Sequence, residues 1–251
     1  MLRLTAFAFC LGLAAPAAAF DISNMTPAER ESFRAEIADY LLDNPEILME
    51  AIAVLEQRRA EIAANQEDQL LVDYQQAIFD DGHSWVGGNP EGDITIVEFL
   101  DYQCGFCKRA FPVMEDIITN DGNIRFIVKE FPILGDASVL GSRYALATRM
   151  VEGDDAYKAV HDRFMQLRGA LSGATIARVA NDLGLDHDAI TARMDDPEID
   201  RMIAENRQLA QTLQIQGTPT FIIENQFVRG LLEGPQMVAL IEQIRAEKQD
   251  G

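Results

Sequence analysis

The sequence predicts an α/β chain in which a strand–helix–strand unit, a block of helices and a strand–strand–helix unit follow a helical arm. Three observations predict it. Ile94 to Leu100 and Ile124 to Val128 are short apolar runs of the buried-strand kind, and Phe111, Met114, Ile117 and Ile118 recur between them at helical spacing. Ala137 to Leu213 carries one helix-start signal after another. Phe221-Ile222-Ile223 and Phe227-Val228-Arg229 then flank the turn Glu224-Asn225-Gln226 before a last amphipathic stretch.

Taken in order, residues 1–19 read as an export signal. Arg3 gives a positive start, Leu4 to Ala15 is too short an apolar stretch to span a bilayer, and Ala17-Ala18-Ala19 offers small residues for cleavage before Phe20. Bulky Phe9 disfavours lipid anchoring at Cys10. The product is expected in the periplasm. Thr26-Pro27-Ala28-Glu29 starts a helix with a capping box and a first-turn proline, and the helix should run to about Asp43. Asn44-Pro45-Glu46 repeats the start, and no proline or glycine follows before about Phe79, so one long helix is expected there. Its first part, Ile47 to Leu55, is apolar enough to need a partner. Packing on the first helix and self-association between chains both satisfy the pattern.

Asp80 to Gly92 is dense in glycine, asparagine, aspartate and proline and reads as a connector. A strand over Ile94–Leu100, a helix after Cys107, the turn Asn120-Asp121-Gly122-Asn123 and a strand over Ile124–Val128 make a parallel βαβ unit. Ser138, Asp154, Ser172, Asp186 and Pro197 each start a helix. Gly234-Pro235 opens the closing helix, with Met237, Leu240, Ile241 and Ile244 on one face. The domains expected are 1–19 signal, 20–80 helical arm and 81–251 catalytic, with a helical insertion at about 137–213.

Formal charge is -20 for the 251 residues, and loss of the signal takes it to -21, because 21 basic residues become 20 against 41 acidic. Such a chain is repelled by nucleic acid and anionic lipid. Of three cysteines, Cys10 leaves with the signal. Cys104 and Cys107 remain, and two thiols in an oxidising compartment suit a redox centre better than a stapled scaffold.

Cys104-Gly105-Phe106-Cys107 stands at the strand-to-helix junction. A helix N-terminus favours a negative sulfur, so Cys104 is the expected nucleophile and Cys107, one turn in, the buried resolving thiol. Zinc needs two further ligands, and His83, His161 and His187 have no ligand-like spacing; all three read as surface or packing residues. No metal and no other cofactor is expected. Gly105 and Phe106 offer the sulfur neither a donor nor a charge.

The segments VEFLDYQCGFCKRAFP (Val97 to Pro112), KEFPILG (Lys129 to Gly135) and IQGTPTFII (Ile215 to Ile223), in this order of elements, resemble the DsbA family of thiol–disulfide oxidoreductases. The likeness covers about Ser84 to Ile244. It implies a thioredoxin fold with an inserted helical subdomain. The arm is similar to that of the ScsC-like branch, in which it assembles catalytic domains into trimers, so a homo-oligomer is implied. Pro219 matches the family's cis-proline, beside which Thr218 would pair with an extended substrate. Glu98 matches a buried acid that relays protons to the resolving thiol; from the residues alone, a strand-end glutamate reaching solvent fits equally. Pro112 matches a helix-kinking proline, and Phe106 and Phe131 offer apolar contacts to unfolded chains, although Phe131 suits core packing better.

DsbA oxidases usually carry Pro-His between the cysteines, and the DsbA thiolate has a pKa of about 3.5. Gly105-Phe106 implies a less stabilised thiolate and a less oxidising disulfide, as in exported isomerases. The favoured function is therefore a protein disulfide isomerase or reductase acting on unfolded or misoxidised exported proteins, with a membrane redox partner. A DsbA-like oxidase is the second reading. A chaperone-like or metal-stress binding module without turnover is the third.

Overall fold

The computed structural model describes residues 22–250, so the expected export signal, its cleavage site and Cys10 lie outside the described residues. The chain divides into two compact units, one ending at Glu61 and the other starting at Ile62.

The first unit holds α1, Pro27–Asp43, and the beginning of α2, Glu46–Asp73. Thr26 caps α1 as its sequence predicts: Glu29 N–H donates to Thr26 Oγ1 at 3.3 Å, and Thr26 N–H donates to Glu29 Oε2 at 2.8 Å. No described side chain from 22 to 61 is buried. Leu48, Ile52 and Leu55 are each about half exposed.

The second unit is built on a five-stranded sheet. Its strands are β1 (Trp85–Gly88), β2 (Ile94–Leu100), β3 (Ile124–Glu130), β4 (Thr220–Ile223) and β5 (Gln226–Arg229). They lie in the order β1-β3-β2-β4-β5, with β2 parallel to β3 and every other neighbour antiparallel. Between β2 and β3 runs α4, Gly105–Asp121, as a parallel pair requires. Between β3 and β4 lies the helical insertion, consisting of α5 (Asp136–Glu152), α6 (Asp154–Gln166), α7 (Gly173–Leu183), α8 (His187–Arg193) and α9 (Pro197–Thr212). The chain closes with α10, Gly234–Asp250. This is the α/β architecture of a thioredoxin fold with an inserted helical subdomain.

Strand alternation separates two apolar layers. Ile94, Ile96 and Leu100 pack with Met114 and Ile117 of α4 and with Ile241 of α10, together with much of the insertion. Val97, Phe99, Ile127 and Ile222 face the other way, onto Leu71, Ile78, Leu209 and Leu213. Both faces of β2 are covered, which is why its sequence is nearly continuous in apolar residues rather than alternating. Phe131 is buried in the second layer, so its role is packing.

Two expectations need correction. The region 80–92 is not all connector, because β1 lies inside it and pairs with β3, Trp85 opposite Val128. This strand has only two apolar residues, and its glycine serves its tryptophan: a Cβ on Gly87 would sit 2.0 Å from the indole. Trp85 is thereby folded back to stack on Tyr157 at 5.7 Å. The helix after Asn44 is also not continuous to Phe79. It breaks at Tyr74 (φ -110, ψ 15), and α3, Gln75–Phe79, follows. The buried Lys129 ammonium donates to Ala77 O at 2.7 Å and ion-pairs with Asp81, which fixes α3 against the sheet. No glycine or proline marks that break. Smaller shifts are that α5 starts at Asp136 rather than Ser138 and that β3 extends to Glu130.

Candidate active site

The end of β2, the turn after it and the first turn of α4 together place the two cysteines. Asp101 builds the turn: its carbonyl accepts from Cys104 N–H at 3.0 Å, and its side chain accepts from Gln103 N–H at 2.7 Å. The same carboxylate accepts from the backbone N–H groups of Ile133 and Leu134, at 2.8 and 3.0 Å, tying the turn to the loop after β3. Cys104 is then the N-cap of α4 itself.

At that position Sγ of Cys104 accepts from Cys107 N–H at 3.4 Å and lies 3.0 Å from the carbonyl oxygen of Thr218, to which the thiol donates. Its pKa is lowered to about 5. The hydrogen bond with the Cys107 thiol lowers it most, burial opposes that, and the Thr218 side chain and the N–H groups of Cys107 and Phe106 lower it further. Cys107 is fully buried, and that burial, then its role as donor to Cys104, then the nearby Glu98 carboxylate, push its thiol well above the usual range. The two sulfurs are driven apart in acidity, one towards thiolate and one held as thiol.

Glu98 lies on the β2 face that carries Ile96 and Leu100, and it is 3% exposed. The solvent-reaching reading of this residue is therefore excluded. Burial pushes its carboxyl up to about 8, with the charges of Cys104 and Glu115 adding to the shift, and Oε1 has no hydrogen-bond partner. Thr218-Pro219 is a cis peptide, and its loop is held by Thr220 Oγ1 donating to Gly217 O at 2.8 Å and by Gly230 N–H donating to Pro219 O at 2.9 Å. Gly105 is exposed and open. Phe106 is 55% exposed, with the Arg109 guanidinium 4.3 Å from its ring centroid. A groove of about 1000 Å³ runs past Phe106, Arg109, Thr218, Pro219, Arg229 and Leu231.

The structure thus brings Cys104, Gly105, Phe106, Cys107, Thr218 and Pro219 to one place, with Glu98 buried beneath. The histidines are elsewhere. His83 and His161 are buried and His187 contacts Tyr144, at 3.2 Å from its hydroxyl. Among the described residues no group of three or more His, Cys, Asp or Glu side chains could hold a metal ion. Sequence reasoning missed Asp101 and Arg109. An aspartate three residues before a helix-capping cysteine is a local turn signal that could have revealed Asp101; Arg109 gave none.

A family model described as a DSBA-like thioredoxin domain matches residues 95–242, and one described as the copper resistance protein ScsC N-terminal domain matches residues 29–61. A solved thioredoxin-like oxidoreductase from Silicibacter pomeroyi is 36% identical, over 68% of this chain and 97% of that one, with a TM-score of 0.64. ScsC of Proteus mirabilis, in a transitional conformation, is 27% identical over 90% of this chain and 100% of that one, with a TM-score of 0.66. The Na(+)/H(+) antiporter NhaA 1 of Salinispora arenicola is 29% identical over 141 residues, covering 56% of this chain and 22% of that protein. The chain thus spans a quarter or less of the length of the curated relatives it matches first.

Proposed function

Because this chain belongs to the DSBA-like thioredoxin-domain family, we propose that it is an exported thiol–disulfide oxidoreductase working chiefly as a disulfide isomerase and reductase. The observation that carries the reading is the sulfur of Cys104, set as the N-cap of α4, receiving the Cys107 N–H and touching Thr218.

In the reduced protein the Cys104 thiolate attacks one sulfur of a substrate disulfide. A bond forms from Sγ to that sulfur, the substrate S–S bond breaks, and its second sulfur leaves as a thiolate. For isomerisation a different substrate thiolate attacks the mixed disulfide, re-pairing the chain and releasing Cys104 reduced. For reduction Cys107 gives up its proton and attacks Cys104 Sγ, the substrate thiolate departs, and the protein is left with a Cys104–Cys107 bond. Glu98, in the molecules in which it is ionised, is the group we assign to receive that proton. Thr218 and Pro219 hold the extended substrate chain beside the sulfur.

Support for isomerase over oxidase comes from Gly105-Phe106, which adds no donor or charge between the cysteines, and from the arm. Several catalytic domains around one substrate raise the local concentration of attacking thiols. We assign residues 20–80 to assembly of copies of this chain and residues 81–251 to the chemistry. Exposed Leu48, Ile52 and Leu55, together with the match of 29–61 to the ScsC N-terminal domain, support that assignment.

Recovery of activity from scrambled ribonuclease is the test. The full-length protein should restore it, Cys104→Ala should abolish the effect, and Cys107→Ser should accumulate mixed disulfides visible on non-reducing gels. Undiminished rescue by Cys104→Ala would point instead to a binding module. Rapid oxidation of reduced ribonuclease without unscrambling would point to an oxidase.

A further inference from the structure

Behind the cysteine turn lies a buried polar cluster that the exchange reaction does not use. Glu130, the last residue of β3, is 2% exposed. Its Oε1 accepts from the hydroxyls of Tyr102 and Tyr157, each at 2.7 Å, and its Oε2 accepts from Ser142 at 2.6 Å. The Tyr102 hydroxyl also lies 3.2 Å from His161 Nδ1. Asn206 of α9 donates to the Glu130 carbonyl at 3.1 Å. All of these side chains are buried. The insertion therefore grips one carboxylate residue from α5, α6 and α9, and the cysteine turn grips it from the other side.

An apolar filling would commonly stabilise a core at least as well as a buried charge, so stability alone does not account for this cluster. A fixed geometry does. Tyr102 is the second residue of the turn closed by the Cys104 N–H bond to Asp101 O. Asp101 anchors the start of that turn, and Tyr102 anchors its middle. The Tyr102 ring is set edge-on to Phe164, with centroids 5.3 Å apart, and close against α5, where a Cβ on Gly141 would come within 3.2 Å of it. The hydrogen bond from Cys107 N–H to Cys104 Sγ spans 3.4 Å and is directional, so a rotation of the turn would weaken it.

We propose that Glu130, acting through Tyr102, is a positioning residue for Cys104, and that the helical insertion sets the reactivity of the sulfur through this pair. The proposal rests on the reading of Cys104 as the attacking thiol.

A matched pair of variants tests it in the full-length protein. Tyr102→Phe and Tyr157→Phe each remove one hydroxyl from the same carboxylate oxygen at the same distance, but only the first residue lies in the turn. Thiolate absorbance titration and equilibration with glutathione are read for both. Tyr102→Phe should raise the Cys104 midpoint and make the disulfide less oxidising, by about threefold or more in the glutathione equilibrium. Tyr157→Phe should keep both values at wild type while losing comparable stability to denaturant. Glu130→Gln should follow Tyr102→Phe, and it carries the test if Tyr102→Phe does not fold. Equal effects of the two tyrosine variants, or wild-type values for both Tyr102→Phe and Glu130→Gln, overturn the proposal and leave the exchange reading standing. A wild-type Cys104 that titrates like a free thiol overturns both.

Discussion

At the residue scale, Glu98 and Cys104 pull the pH dependence of stability in opposite directions. Folded Glu98 keeps its proton up to about pH 8, against an ordinary value of 4.5 for the free group. Its contribution is complete below the unfolded value and is lost as pH rises towards 8. Cys104 is lowered from 9.0 to about 5, so its contribution is present above the unfolded value and is lost as pH falls through 5. In the reduced protein the two slopes offset each other between pH 5 and 8, so Glu98→Gln should leave stability rising with pH over that window. A difference of about 1–3 kcal/mol is expected, read from denaturant unfolding at the two pH values. An identical slope in the variant would show that Glu98 is not held protonated. The cysteines and the Thr-Pro step were legible because their signals are local. The burial of Glu98 was not, since an acid near the end of an apolar strand can face either way. Glu130 was invisible as a site residue because the Tyr102 hydroxyl that gives it meaning stands 28 positions away, whereas Asp101 showed its local turn signal but not its tie to Ile133, 32 positions on.

At the scale of elements, α5 and the cysteine turn approach closely at one glycine. A Cβ on Gly141 would lie 2.6 Å from Leu171 Cδ1 and 3.2 Å from Tyr102 Cδ2, and both neighbours are buried. Gly141→Ala should cost about 1–3 kcal/mol from overpacking, despite alanine's better helix propensity. Unchanged or raised unfolding midpoints would contradict this packing. Elements with a start signal and a long period were readable: the Thr26 capping box, the Ser172 and Asp186 caps and Pro197 at the head of α9 all stand where the sequence puts them. β1 was not readable, because four residues with two glycines carry no strand period and gain their place from pairing with β3. The break at Tyr74 was hidden for a related reason, as the fixing contact comes from Lys129, more than fifty positions later.

At the scale of the whole molecule, the exposed apolar residues of the arm should matter only when copies meet. Simultaneous Leu48→Asp, Ile52→Asp and Leu55→Asp should convert an oligomer to a monomer by sedimentation, and should reduce unscrambling more than simple disulfide reduction. Unchanged mass would remove the assembly role of 20–80. The position of Cys104 as an N-cap carries one more consequence. A sulfur that bears charge accepts the first-turn N–H well, whereas a sulfur bonded to its neighbour is neutral and accepts it poorly. Closing the Cys104–Cys107 bond thus takes a capping group away from α4. The dithiol form should melt at a higher temperature than the disulfide form near neutral pH, and the gap should narrow as acid protonates Cys104 below about 5. Heat tolerance then becomes a gauge of oxidising strength: the further the dithiol form outlasts the disulfide form, the more readily the bond is reduced.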